Sequence, residues 1–284
     1  MVDVLISAKE LHDRLARDNR PLVLDVRWML GDPHGRQHYL ERRIPGSLYV
    51  DLNTDLAAHA TPLEGRHPLP SPESFQATAR GWGLHNDQAV VVLDDNGGMA
   101  AARAWWLLRW AGHETVRLLD GGLKAWVDTG YGVDGADAPI PDPTPGDVDL
   151  SSGHMPVLDM DQAGEFPERG VLLDARAGER YRGEQEPVDP RAGHIPGAVS
   201  APTAENLQEN GKFKDPRELR CRFEAMGVVA GKPDAAAAYC GSGVTAAHEV
   251  VALAVAGIHA ALYPGSWSQW SNHPDRPAAT GPEA

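Results

Sequence analysis

A doubled α/β fold, each copy a mostly parallel sheet with helices on both faces, follows from three observations on this chain of 284 residues. Short apolar runs alternate with helical patterns along the length, as expected of parallel strands joined by helical crossovers. These runs recur in pairs. Leu22-Val23-Leu24-Asp25-Val26-Arg27 answers Val171-Leu172-Leu173-Asp174-Ala175-Arg176, and Arg43-Ile44-Pro45-Gly46-Ser47 answers His194-Ile195-Pro196-Gly197-Ala198. Asp120-Gly121-Gly122-Leu123-Lys124-Ala125-Trp126 likewise answers Pro264-Gly265-Ser266-Trp267-Ser268-Gln269-Trp270. One large unit present twice is a duplicated domain and not a solenoid. Third, residues 130–153 are rich in Pro, Gly and Asp, with Pro139, Pro141, Pro143 and Pro145 nearly alternating. That composition gives an extended, stiffened linker. The expected division is a first domain over 1–130, a linker over 131–153 and a second domain over 154–284.

The elements that matter lie at matching places in the two halves. Val90-Val91-Val92-Leu93-Asp94-Asp95 reads as a buried strand, and residues 235–239 (four alanines and Tyr239) read as its counterpart leading into Cys240. Asp95 is taken as the residue answering Cys240. Residues 100–111, with Trp105, Trp106, Leu107 and Trp110, form a helix of core or interface character. After Cys240 come Gly241-Ser242-Gly243-Val244-Thr245, then a helix from Ala246 through Leu253. A cysteine at a strand end, followed by two glycines and a helix start, describes a thiolate in a concavity of backbone amides. The helix N-terminus adds partial positive charge, which favours thiolate over thiol. Two other readings compete: a buried structural cysteine, and a phosphatase loop of the form Cys-x5-Arg. The sixth residue after Cys240 is Ala246, so the phosphate clamp is absent.

Bulk properties narrow the classes further. A formal net charge of −14 argues against a nucleic acid or an anionic membrane as partner. Two cysteines, Cys221 and Cys240, are too few for a disulfide framework and suit a reducing compartment. Neither a signal-like core nor an apolar run long enough to span a membrane is present, so the expected location is cytoplasmic.

The loop 240–246 resembles the active loop of the two-domain sulfurtransferases, the rhodanese and 3-mercaptopyruvate sulfurtransferase family. Asp174-Ala175-Arg176-Ala177-Gly178-Glu179-Arg180-Tyr181-Arg182-Gly183, Glu186-Pro187 and Gly193-His194-Ile195-Pro196-Gly197-Ala198 follow that family's order and spacing. The resemblance implies two tandem rhodanese-like domains, the second catalytic and the first without chemistry. It implies that Cys240 takes sulfur from a small anionic donor as a persulfide and passes it to cyanide, a thiol or a protein thiol, in two half-reactions. Gly241, Ser242, Gly243, Val244 and Thr245 would cradle the sulfur, with Ser242 and Thr245 adding hydroxyl donors, a role that a helix N-cap at Thr245 does not exclude. Arg180 matches the donor-binding arginine, its alternative being a surface pair with Glu184. Arg176 reads as a brace for the strand end. Trp28 matches an aromatic residue that lines the pocket from the first domain, with core packing at even weight. His194 reads as structural, His248 as an ordinary helix residue and Cys221 as an ordinary cysteine. No cofactor and no metal are expected.

The chain departs from the family in ways that bear on the donor. Thiosulfate users place cations in the loop, as Cys-Arg-Lys-Gly; Gly241 and Ser242 are the small and hydroxyl pair of 3-mercaptopyruvate users, and tilt the reading slightly that way. Yet those enzymes carry a second arginine directly after Glu-Pro, where this chain has Val188 and Asp189, with Arg191 the nearest substitute. Arg43 stands where the family's first domain usually has the histidine assigned to a Ser–His–Asp relay. Ser242 is therefore expected to lack its partner, and Arg43 is a candidate for the positive charge missing from the loop. The alternative to an enzyme is a persulfide carrier fed by a partner protein.

Overall fold

The apolar runs become parallel strands in the computed structural model, which describes residues 4–283. They fall into two units. The first takes the chain up to Ala57, then Pro70–Met155 and Gln208–Phe213; the second takes Ala58–Leu69, Pro156–Leu207 and the chain from Lys214 onward. Two short segments thus cross the division drawn at the linker, and one of them, Ala58–Leu69, matters for the site.

The first unit is built on β1 (Leu5–Ile6), β2 (Leu22–Val26), β3 (Leu48–Val50), β4 (Val90–Leu93) and β5 (Val116–Leu119), in the order β1-β5-β4-β2-β3. The second is built on β6 (Val171–Asp174), β7 (Val199–Ser200), β8 (Ala236–Tyr239) and β9 (Ala260–Leu262), in the order β7-β6-β8-β9. Every strand pair is parallel, and Val157 adds an isolated parallel bridge to Leu262 at the place corresponding to β1. The central strands β4 and β8 are buried at every residue, which is why they read as continuous apolar runs without alternation. Alanines fill most of β8 and let the helix Thr245–Val255 pack directly on β8 and β9.

Each sheet carries the same brace at its carboxyl edge. Asp25 accepts from Arg27 Nε at 2.6 Å, and Asp174 accepts from Arg176 Nε at 2.9 Å. Both pairs are almost wholly buried, and Arg176 also reaches the Gly193 carbonyl at 2.7 Å, tying the Gly-His-Ile-Pro-Gly turn to the strand end. Arg176 therefore has the bracing role expected of it. His194 in that turn is buried, stacked on Tyr181 at 3.8 Å and bonded through Nδ1 to the Tyr181 carbonyl, a structural position.

The proline-rich linker lies along the first unit instead of standing free. Gly146 N donates to Arg80 O at 2.7 Å, Val148 N to Leu84 O at 3.1 Å and Ser151 N to Ala111 O at 3.1 Å. Trp105, Trp106 and Trp110 are buried in the helix Ala101–Trp110, with the rings of Trp106 and Trp110 stacked at 6.0 Å.

Candidate active site

Cys240 is the first residue past β8, the strand between β6 and β9, and is 1% exposed. Active groups gather at the carboxyl ends of such strands because the following loops open there. The loop is held from both sides: Cys240 N donates to Ser266 Oγ at 3.1 Å, while Trp267 N and Ser268 N donate to the carbonyls of Cys240 and Gly241. Within the loop the Gly243 amide turns inward, its N lying 3.1 Å from the Cys240 sulfur. Gly243 has φ of +76°, and a β-carbon there would stand 2.3 Å from the Pro264 carbonyl oxygen. Gly243→Ala is accordingly expected to destabilise the fold by roughly 1–3 kcal/mol and to depress activity with it. Denaturant unfolding tests this, and an unchanged midpoint would contradict it. Val244 occupies the N-cap position, without a side-chain cap bond, and Thr245 is the first residue of the helix, so Thr245 is not the N-cap.

Arg180 comes from the one-turn helix Gly178–Tyr181. Its partners are Glu186, with Nη2 to Oε1 at 2.6 Å, and Asp189, with Nη2 to Oδ2 at 3.2 Å; Glu184 pairs with Arg182 instead. Burial works against the ionised form of Glu186, but Arg180 and the amides of Asp189 and Val188 hold its carboxyl below the usual range. Asp189 goes the other way: burial pushes its carboxyl up against the pull of Arg66 and Arg180, and the charge of Glu186 adds to the push.

The second unit receives two further polar side chains from Ala58–Leu69, which sequence reasoning missed. Gly65 has φ of +91°, and a β-carbon on it would come within 2.9 Å of both the Gly265 carbonyl oxygen and Ser268 Oγ, so only glycine lets the segment lie this close. Arg66 N donates to Ser268 Oγ at 3.1 Å, and Gln269 Nε2 donates to Leu63 O at 3.2 Å. So anchored, Arg66 forms an ion pair with Asp189 through Nη1. His67, buried, places Nδ1 2.8 Å from Ser242 Oγ. Ser242 has a histidine partner after all; the expectation that it lacks one is corrected, because the histidine comes from Gly65-Arg66-His67-Pro68 and not from the position of Arg43.

A family model described as the Rhodanese-like domain matches residues 7–129 and again 158–273. The chain belongs to the rhodanese family. At 44% identity over 284 residues (98% of this chain, 97% of the relative) it is similar to a Mycobacterium tuberculosis protein, SseB, provisionally named a thiosulfate sulfurtransferase. At 44% identity over 284 residues (98% of each) it is similar to a Pseudomonas aeruginosa protein provisionally named a 3-mercaptopyruvate sulfurtransferase. Its fold is similar to the crystal structure of SseA from Escherichia coli, described among 3-mercaptopyruvate sulfotransferases, with a TM-score of 0.81, 31% identity, and coverage of 93% of this chain and 99% of that one. This rhodanese is a sulfurtransferase, and the relatives do not favour a passive persulfide carrier. Among the described residues no helix is long and apolar enough to cross a membrane, and no His, Cys, Asp and Glu group is placed to hold a metal ion.

Other expectations for this rhodanese are corrected inside its first unit. Arg43 is fully buried, and its guanidinium donates to the carbonyls of Leu40, Gly135, Ala138 and Pro139. It clamps the linker through these bonds. The residue answering Cys240 is Asp94, not Asp95, because Leu93 pairs with Asp25 as Tyr239 pairs with Asp174. The Asp94 carboxylate accepts from the amides of Asn96, Gly98, Ala100 and Ala101 at 2.8–3.0 Å, so the first copy fills its own anion cradle with a side chain. Asp95 instead pairs with Arg27 at 2.9 Å. Trp28 is half-buried and lines a hollow of about 170 Å³ with Arg27, His38 and Asp95 in that unit. In the second unit Arg191 cannot stand in for the missing arginine, since its guanidinium is bonded to the carbonyls of Trp270, Ser271, His273 and Arg276.

Proposed function

We propose that this sulfurtransferase takes sulfur from 3-mercaptopyruvate onto Cys240 and delivers it to a thiol or cyanide. The observation that carries the reading is the 2.8 Å contact between Ser242 Oγ and His67 Nδ1, two residues past the cysteine. The two donors ask for different help. Attack of the Cys240 thiolate on 3-mercaptopyruvate forms an S–S bond and breaks a C–S bond, and the electron pair leaves on carbon as the enolate of pyruvate. That carbon takes up one proton to give pyruvate, leaving the cysteine as a persulfide. A hydroxyl hydrogen-bonded to an imidazole is a suitable proton source. Thiosulfate instead releases sulfite, a leaving group that needs no proton, so the Ser242–His67 pair would serve no purpose there.

The Gly243 amide, directed at the sulfur, stabilises its anionic form in both half-reactions. Identity with relatives does not separate the donors, since 44% is shared with one protein of each name. A cytoplasmic setting suits two unpaired cysteines, one buried at the site and one exposed.

Side-by-side steady-state rates with 3-mercaptopyruvate and thiosulfate test the proposal. Ser242→Ala is expected to lower kcat/KM for 3-mercaptopyruvate on the order of 10²-fold, the usual scale of acid–base assistance, and to affect thiosulfate much less. Equal losses with both donors would remove the proton-donating role and with it the preference.

A further inference from the structure

The second arginine that 3-mercaptopyruvate users place after Glu-Pro is missing, and the two substitutes considered from sequence, Arg43 and Arg191, both direct their guanidinium groups to backbone carbonyls. Arg66 is differently placed. A β-carbon built on Gly241, the residue after the nucleophile, would stand 2.9 Å from Arg66 Nη2 and 3.5 Å from Arg180 Nη1. Two guanidinium groups therefore converge on one point beside Cys240, and the absence of a side chain at Gly241 leaves that point open. A pair of like charges this close needs an anion, and in the free protein Asp189 supplies it, bonded to Arg66 Nη1 and to Arg180 Nη2. Arg66 is also left with a donor to spare, since its buried Nε has no acceptor among the described residues.

We propose that Arg66 is a specificity-determining residue that binds the donor carboxylate together with Arg180, the carboxylate taking over from Asp189 as their shared anion. The proposal rests on the reading of Cys240 as the sulfur acceptor and of a 2-oxo acid as donor. Guanidinium groups suit this role because each offers a planar fork matched to two carboxylate oxygens. The same geometry gives Gly241 a second function: an arginine at that position, as in the thiosulfate pattern, would occupy the space of the Arg66 guanidinium.

The test compares the full-length protein with Arg66→Ala and Arg66→Lys. Loading of Cys240 is followed by intact mass in single turnovers with each donor, and discharge of the loaded persulfide to cyanide is followed separately. For Arg66→Ala the expected result is a loading kcat/KM for 3-mercaptopyruvate lowered roughly ten- to hundred-fold, the scale of one lost charge-assisted hydrogen bond. The loss should appear mainly in KM, with discharge at the wild-type rate and partial recovery in Arg66→Lys. Unchanged loading, or discharge slowed as much as loading, would overturn the proposal, the second outcome marking Arg66 as a support of the loop. A loss as large with thiosulfate would overturn the assignment of a carboxylate. Pyruvate, a 2-oxo acid with no sulfur to transfer, separates this proposal from the one beneath it. If neither donor loads the wild-type protein, the proposed function fails, while weaker pyruvate binding by Arg66→Ala than by wild type still supports the carboxylate subsite. Equal pyruvate binding by the two proteins would overturn it.

Discussion

Cys240→Ser is expected to fold normally and to transfer no sulfur. The side chain is buried at the end of β8, and its sulfur lies 3.1 Å from the Gly243 amide, a bond that a serine hydroxyl can also accept. Changing sulfur to oxygen therefore alters the core little, while the chemistry is lost outright because an alkoxyl group cannot form a persulfide. Intact mass after exposure to donor should show one added sulfur on the wild-type protein and none on the variant. Cys221 is the control. It is exposed on the helix Pro216–Ala225, and Cys221→Ser should keep most activity. An active Cys240→Ser together with an inactive Cys221→Ser would move the nucleophile to the other cysteine.

Arg180→Ala should have the next largest effect. Losing a charge-assisted contact to an anionic donor costs about 1.5–3 kcal/mol, or roughly one to two decades in kcat/KM. A second consequence follows from its neighbours. Glu186 and Asp189 are 4% and 2% exposed at their side chains, and both would be left with less positive charge to face. Part of the loss should therefore appear as reduced stability. Arg180→Lys separates the two effects by keeping the charge while removing the fork, so it should recover stability more than donor affinity. Wild-type kcat/KM with both donors in Arg180→Ala would take Arg180 out of the site.

The contiguous parts of this site were legible in the sequence and the assembled parts were not. Cys240, its two glycines and the helix after it lie within one short stretch, so spacing alone describes the cradle. The bracing role of Arg176 was legible for the same reason, as it sits at the end of the strand it braces. Arg66 and His67 reach their partners across more than a hundred residues of chain, and nothing in residues 58–69 has the periodicity that would assign them to a sheet or a helix. A histidine between an arginine and a proline, after a glycine, was the available signal. Arg43 was misjudged because matching repeats locate a residue along the fold but do not say which way its side chain turns. Asp94 was missed by one position, since the first copy runs seven residues from Asp94 to its helix at Ala101 where the second runs five from Cys240 to Thr245.

The membership of Ala58–Leu69 in the second unit bears on how such a duplicated protein can change over time. A gene cut within the linker would release a half that still encodes Cys240, Arg180 and Asp189 but neither Arg66 nor His67. The two copies are thus not interchangeable modules joined for convenience. Because the later copy draws Arg66 and His67 from sequence belonging to the earlier one, the earlier copy can do without a cysteine of its own but cannot be discarded.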